Sequence, residues 1–118
     1  MYSVTSNAVF NATKKYSGGT AIINPTYVTA GSIDWVKVGK IVIVNITNLI
    51  LTEWSDGDKT IATGLPPAQI PIRADISALN SSSPSQLFAV QTNGRLDTNG
   101  GSSYAGSFYG SFVYISED

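Results

Sequence analysis

From Ile33 to Ile115 the apolar residues recur at every second position or in short runs, the pattern of β-strands. Ile33, Trp35 and Lys37 share one face of a strand, and Asp34, Val36 and Val38 share the other. Gly39-Lys40 follows, with glycine at the first central position of a type II′ turn. Ile41-Val-Ile-Val-Asn-Ile-Thr47 then returns as the second arm of a hairpin. This arm is apolar on both faces at its start, which predicts a central strand buried on both sides. It continues through a bend at Asn48 toward Trp54. Ile70, Ile72, Ala74, Ile76 and Ala78 alternate along another strand face. Gln86 to Thr92 and Arg95 to Thr98 flank Asn93-Gly94, a strong hairpin turn. The last strand, Ser107 to Ile115, puts Phe108 and Gly110 on one side and Tyr109, Ser111, Val113 and Ile115 on the other.

Turn signals punctuate these strands. They fall at Ala30-Gly31-Ser32, Ser55-Asp-Gly-Asp58, Gly64-Leu65-Pro66-Pro67, Asn80 to Ser85 and Asn99 to Ser103. Pro25 confines residues 21–29 to an edge strand or a bent connection. Roughly eight or nine short strands at this spacing predict an all-β fold, an antiparallel β-sandwich or jelly roll. No repeat of fixed period points to a solenoid or propeller.

The first sixteen residues break the alternation and carry the one helix signal. Thr5 is a good N-cap, and Val4 and Val9 suit a hydrophobic staple around it. Lys14 and Lys15 sit in the last turn, where cations favour the helix dipole, and Ser17-Gly18-Gly19 stops the helix. A helix of about ten residues is marginal alone and needs a surface to pack on. The expected organisation is a helix and flexible joint over residues 1–19, then a β-sandwich domain over 20–118.

Composition narrows the chemistry. Only 13% of the residues are charged, and polarity comes from Ser, Thr, Asn and Gly instead. The net charge of −1 and the lack of a polybasic stretch argue against nucleic acid and anionic membrane as partners. They also leave self-association unopposed. The absence of Cys and His removes disulfides, thiol nucleophiles, zinc sites built on these residues and histidine bases. No cofactor is implied. Ile41 to Val44, the longest apolar run, is too short to span a membrane, and no secretory signal follows Met1.

Val4-Thr-Ser-Asn-Ala-Val-Phe-Asn-Ala12 resembles the V-T-S-x-x-V-Y-x-A segments in the stalks of bacteriophage and prophage tail fibres. Phe10 stands where those segments carry Tyr, and Thr13 where a Leu often follows. Further along, Trp35 to Val44 resembles the W-x-K-x-G-K-x-V-x-V hairpin of the fibre heads. Ile61-Ala-Thr-Gly-Leu-Pro66 is similar to their I-x-T-G-L-P strand end. Asn93-Gly-Arg-Leu96 and Gly110 to Ile115 resemble their later hairpin and closing strand. The four head motifs stand in the family's order behind the stalk motif. The resemblance implies a homotrimeric, jelly-roll-like head that recognises a host cell-surface saccharide or protein, carried on a virion and extracellular after release. Val4, Val9 and Phe10 are then the candidate contacts between copies. Three other readings stay open: a purely structural virion component of baseplate or head fibre, a bacterial carbohydrate-binding or adhesin module, and a carbohydrate-active enzyme.

Sugars stack their C–H faces on aromatic rings and hydrogen-bond to Asp and Asn. Trp54 beside Asp56 and Asp58, and Tyr104 near Asn99, are therefore the candidate ligand-binding residues, with Tyr27 a further aromatic near Pro25. Trp35 and Phe112 read as structural. A glycosidase needs two facing carboxylates, and Glu53 with Asp75 is one pair that spacing allows. The chain is short for a deep cleft, and the acids read as solvated or turn-forming, so no catalytic residue is assigned. Asp56-Gly-Asp58 resembles a fragment of a calcium loop, but Lys59 and Ile61 spoil the ligand pattern, and no metal site is assigned. Gly18-Gly19 and Gly100-Gly101 lack the context of phosphate loops.

Overall fold

A computed structural model describes residues 16–79 and 85–117. These residues form strands and no helix. In chain order the strands are β1 (Tyr16–Thr20), β2 (Ile22–Ile23), β3 (Val28–Val38), β4 (Ile41–Leu51), β5 (Thr60–Thr63), β6 (Ile72–Ile76), β7 (Ala78–Leu79), β8 (Gln86–Val90), β9 (Leu96–Asn99) and β10 (Ser107–Ile115). They make two five-stranded sheets, ordered β1-β3-β4-β10-β7 in sheet A and β2-β5-β9-β8-β6 in sheet B. Every pairing is antiparallel. The all-β sandwich is as the alternation predicts.

The core lies between the sheets. Ile33, Val42, Val44, Ile46, Leu49 and Phe108 of sheet A meet Ile61, Phe88, Val90 and Leu96 of sheet B in one fully or almost fully buried cluster. Phe88 and Phe108 cross it edge to face, 6.0 Å between ring centroids. Tyr114 packs beside them and donates its hydroxyl to Pro66 O at 2.7 Å, and burial pushes its pKa up.

The Gly39-Lys40 hairpin forms as expected: Val38 faces Ile41, and Gly39 takes φ 62°. Several other expectations are corrected. The helix expected over residues 1–16, with Val4, Val9 and Phe10, lies outside the described residues except for Tyr16, which opens a strand. Ser17 to Thr20, expected as a joint, belong to β1 and pair with Asp34 to Lys37 of β3. Ala30-Gly31-Ser32 is no turn; it is a bulged stretch within β3. Gly31 takes φ 108°, and a Cβ there would stand 2.5 Å from Asn48 O across the ladder. Two irregular residues, Gly31 and the positive-φ Asn48, thus bend the hairpin together without breaking it. Finally, β4 is central in sheet A but buried on one face only. Val42, Val44 and Ile46 point inward, while Ile41 and Ile43 are exposed.

Strand direction gives sheet A two distinct ends. At one, the near end, lie the Gly39-Lys40 turn, the entry of the chain at Tyr16 (opposite Val38) and the close of β10 at Ile115 (opposite Ile41). At the far end lie Leu51, the start of β10 at Ser107 and its partner β7. The eleven residues of β4 separate the two ends by about 34 Å.

Candidate functional site

A cavity of about 640 Å³ opens at the far end. Residues 50–55, from the end of β4 and the segment after it, form one wall, and residues 103–106, ahead of β10, form the other. Trp54 and Tyr104, both candidates from sequence, are brought together in this lining. Glu53 adds one carboxylate, and Thr52, Ser55 and Ser103 add hydroxyls.

Backbone and side-chain bonds zip the two walls together. Trp54 N donates to Ser103 Oγ at 3.0 Å, and Ser103 N donates to Trp54 O at 3.1 Å. Gly57 N donates to Gly101 O at 2.8 Å. Asp58 Oδ1 accepts from Gly100 N and Gly101 N, each at 2.8 Å, and Asn99 Nδ2 reaches its other oxygen at 3.5 Å. Asp58 and Asn99 therefore lie beside the cavity and hold its loops. Carboxylate acceptance of two backbone N–H groups is a charge-assisted clamp.

Asp56 stands outside this clamp. Its carboxylate pairs with Lys59 Nζ at 3.0 Å, which holds its pKa below the usual carboxylate range and raises that of Lys59. Lys59 in turn sits 5.6 Å from the centroid of the Tyr27 ring. Tyr27 meets Trp54 edge to face at 5.4 Å, so the cavity wall is braced from behind by an aromatic pair and a cation. The indole Nε1 of Trp54 is buried without a hydrogen-bond partner.

Gln86 is a site residue that the sequence pattern does not reveal. Its fully buried amide accepts from Tyr104 N at 3.0 Å and donates to Ser102 O at 3.2 Å, so it positions Tyr104 from below. A Gln at the start of an apolar strand carries no mark of that task, because its partners lie sixteen and eighteen residues away. Ser103, which bonds Trp54 from a distance of forty-nine residues, is equally silent in sequence.

An open cavity with aromatic walls, one carboxylate and several hydroxyls can stack a sugar ring and bond its hydroxyls. Glu53 faces this cavity from the loop after β4, whereas Asp75 lies on β6 of sheet B. Among the described residues no three of His, Cys, Asp and Glu cluster to hold a metal ion. No family model matches the chain, and no curated protein matches it.

Proposed function

We propose that this chain is the head of a phage or prophage tail fibre, a homotrimer that binds a saccharide of the host cell surface through the far-end cavity. The observation that carries this reading is where the cavity lies. It opens at the end of the sandwich opposite the entry of the chain at Tyr16. A head carried on an N-terminal stalk presents that end outward. The pairing of strands supports a jelly-roll-like head, since β4 pairs with β10 in one sheet while β5 pairs with β9 in the other. The segments that carry the candidates Trp54, Asp56 and Asp58, and Asn99 and Tyr104, lie at this end.

A glycan array probed with the full chain tests the proposal, followed by calorimetry on the saccharides that bind. Tyr104→Ala is expected to weaken binding at least about tenfold, equivalent to about 1.4 kcal/mol, while Lys40→Ala at the near end leaves it unchanged. Absence of saccharide binding, or binding indifferent to Tyr104, would transfer the weight to a purely structural virion component.

A further inference from the structure

Five of the eight exposed large apolar side chains among the described residues gather on one surface. They lie on the outer face of sheet A at its near end, in two rows that cross β3, β4 and β10. Val38, Ile41 and Ile115 are directly paired in the first row, and Val36, Ile43 and Val113 in the second. Val36 is half-buried, and the other five are 42–58% exposed. No Lys, Arg, Asp or Glu stands in either row. The next row, Asp34, Asn45 and Ser111, turns polar. An apolar block with a polar margin has the anatomy of an interface and not of a solvated sheet face.

We propose that this face is the contact through which copies of this chain pack on one another. The proposal rests on the reading that the chain assembles with itself, and it places the contact on the sandwich. Three features favour a second copy as occupant. The two rows carry no charge that would select a charged partner, and turning this face of every copy toward a common axis brings no like charges of these rows together. β-Branched residues on such a face pack well against the same rows of neighbouring copies around that axis. The chain enters at Tyr16, directly beside Val38, so copies joined here bring their first fifteen residues together. Those residues carry Val4, Val9 and Phe10, the candidate contacts between copies.

Two readouts on the full chain test this. Light scattering on the wild type should give a multiple of 12.5 kDa, and Ile43→Lys with Val113→Lys should give 12.5 kDa with an unchanged far-ultraviolet dichroism spectrum. The chain has no cysteine, so a single introduced thiol reports its own surroundings. An Ile43→Cys thiol should react with a maleimide at least about tenfold more slowly than an Asp75→Cys thiol on the outer face of sheet B, because only dissociated copies expose it. A monomeric wild type with a reactive thiol at position 43 overturns the proposal together with the trimer reading. An oligomeric wild type with a reactive thiol overturns the placement alone and leaves self-assembly to the first fifteen residues. A monomer with a shielded thiol also overturns it, assigning the face to residues 1–15 of the same chain. Should the double-lysine variant unfold, the thiol rates decide.

Discussion

The two outer faces of this sandwich solve the same problem in opposite ways. On sheet B, outward polar side chains around β9 satisfy one another. Asp97 accepts from Thr60 Oγ1 at 2.8 Å, from Gln91 Nε2 at 3.2 Å and from Arg95 Nε at 2.9 Å, and Arg73 Nε donates to Asn99 Oδ1 at 3.2 Å. On sheet A, the near-end outward positions carry Ile and Val, whose only gain comes from leaving water. Alternation along a strand says which residues leave the core, but not whether what they meet outside is solvent. The polar network closes within one chain, whereas the near-end block of sheet A stays exposed among the described residues.

Substitutions sharpen that contrast, and the largest effect belongs to the layer the two sheets share. Phe108→Ala removes the ring that meets Phe88 across the core and should cost about 3–5 kcal/mol in urea unfolding. Next comes sheet B. Asp97→Ala leaves the Arg95, Thr60 and Gln91 donors without their acceptor, and should cost about 2–3 kcal/mol by the same measurement. A cost below about 0.5 kcal/mol would mean that solvent replaces the network freely, and the two outer faces would no longer differ in kind.

The same contrast shows what the sequence makes legible. Period-2 alternation and the Gly39-Lys40 and Asn93-Gly94 turns mark both hairpins, because these signals are local. Even so, Gln91 pairs with Arg95, so the second loop is longer than a two-residue turn. Ile41 and Ile43 defeat the reading of β4, since an apolar outer face looks the same in sequence as burial on both sides. Gly18-Gly19 looks like a joint because glycine weakens strands, yet a Cβ on Gly19 would stand 3.1 Å from the Trp35 ring that lies against β1. Gly31 looks like a turn because its partner, Asn48, is remote in sequence. At the site, the aromatic character of Trp54 and Tyr104 is legible, whereas the clamp that unites their loops depends on contacts between Asp58 and residues 100–101.

Asp58→Ala breaks that clamp and should cost about 1–2 kcal/mol, less than the loss of Asp97 because the exposed N–H groups find water. Comparable in size is the difference between the two faces of sheet A itself. Val44→Thr buries an unpaired hydroxyl and should cost about 1–3 kcal/mol, whereas Val113→Thr on the outer face should stay within about 0.5 kcal/mol when measured on the dissociated chain. Equal costs would show that the outer face is already covered within a single chain.

The smallest effect concerns Asp56 and Lys59, the pair behind the cavity, whose carboxylate is exposed. The hydrogen bond and charge of Lys59 lower the pKa of Asp56 from 3.8, so the folded state binds that proton less tightly than the unfolded chain. The stabilisation is present above pH 3.8 and fades as pH falls through the folded value. Asp56 raises the pKa of Lys59 from 10.5, so the lysine's share is complete below that pH and fades as pH rises through its folded value. Between those limits, Asp56→Asn should lower stability by a small, constant amount, measured as the urea midpoint against pH, and added salt should shrink it. A difference that persists at pH 2, or that ignores salt, would mean that Asp56 acts through the loop backbone and not through Lys59. The polar scheme of sheet B, in which side chains satisfy one another, would then not extend to the rim of the cavity.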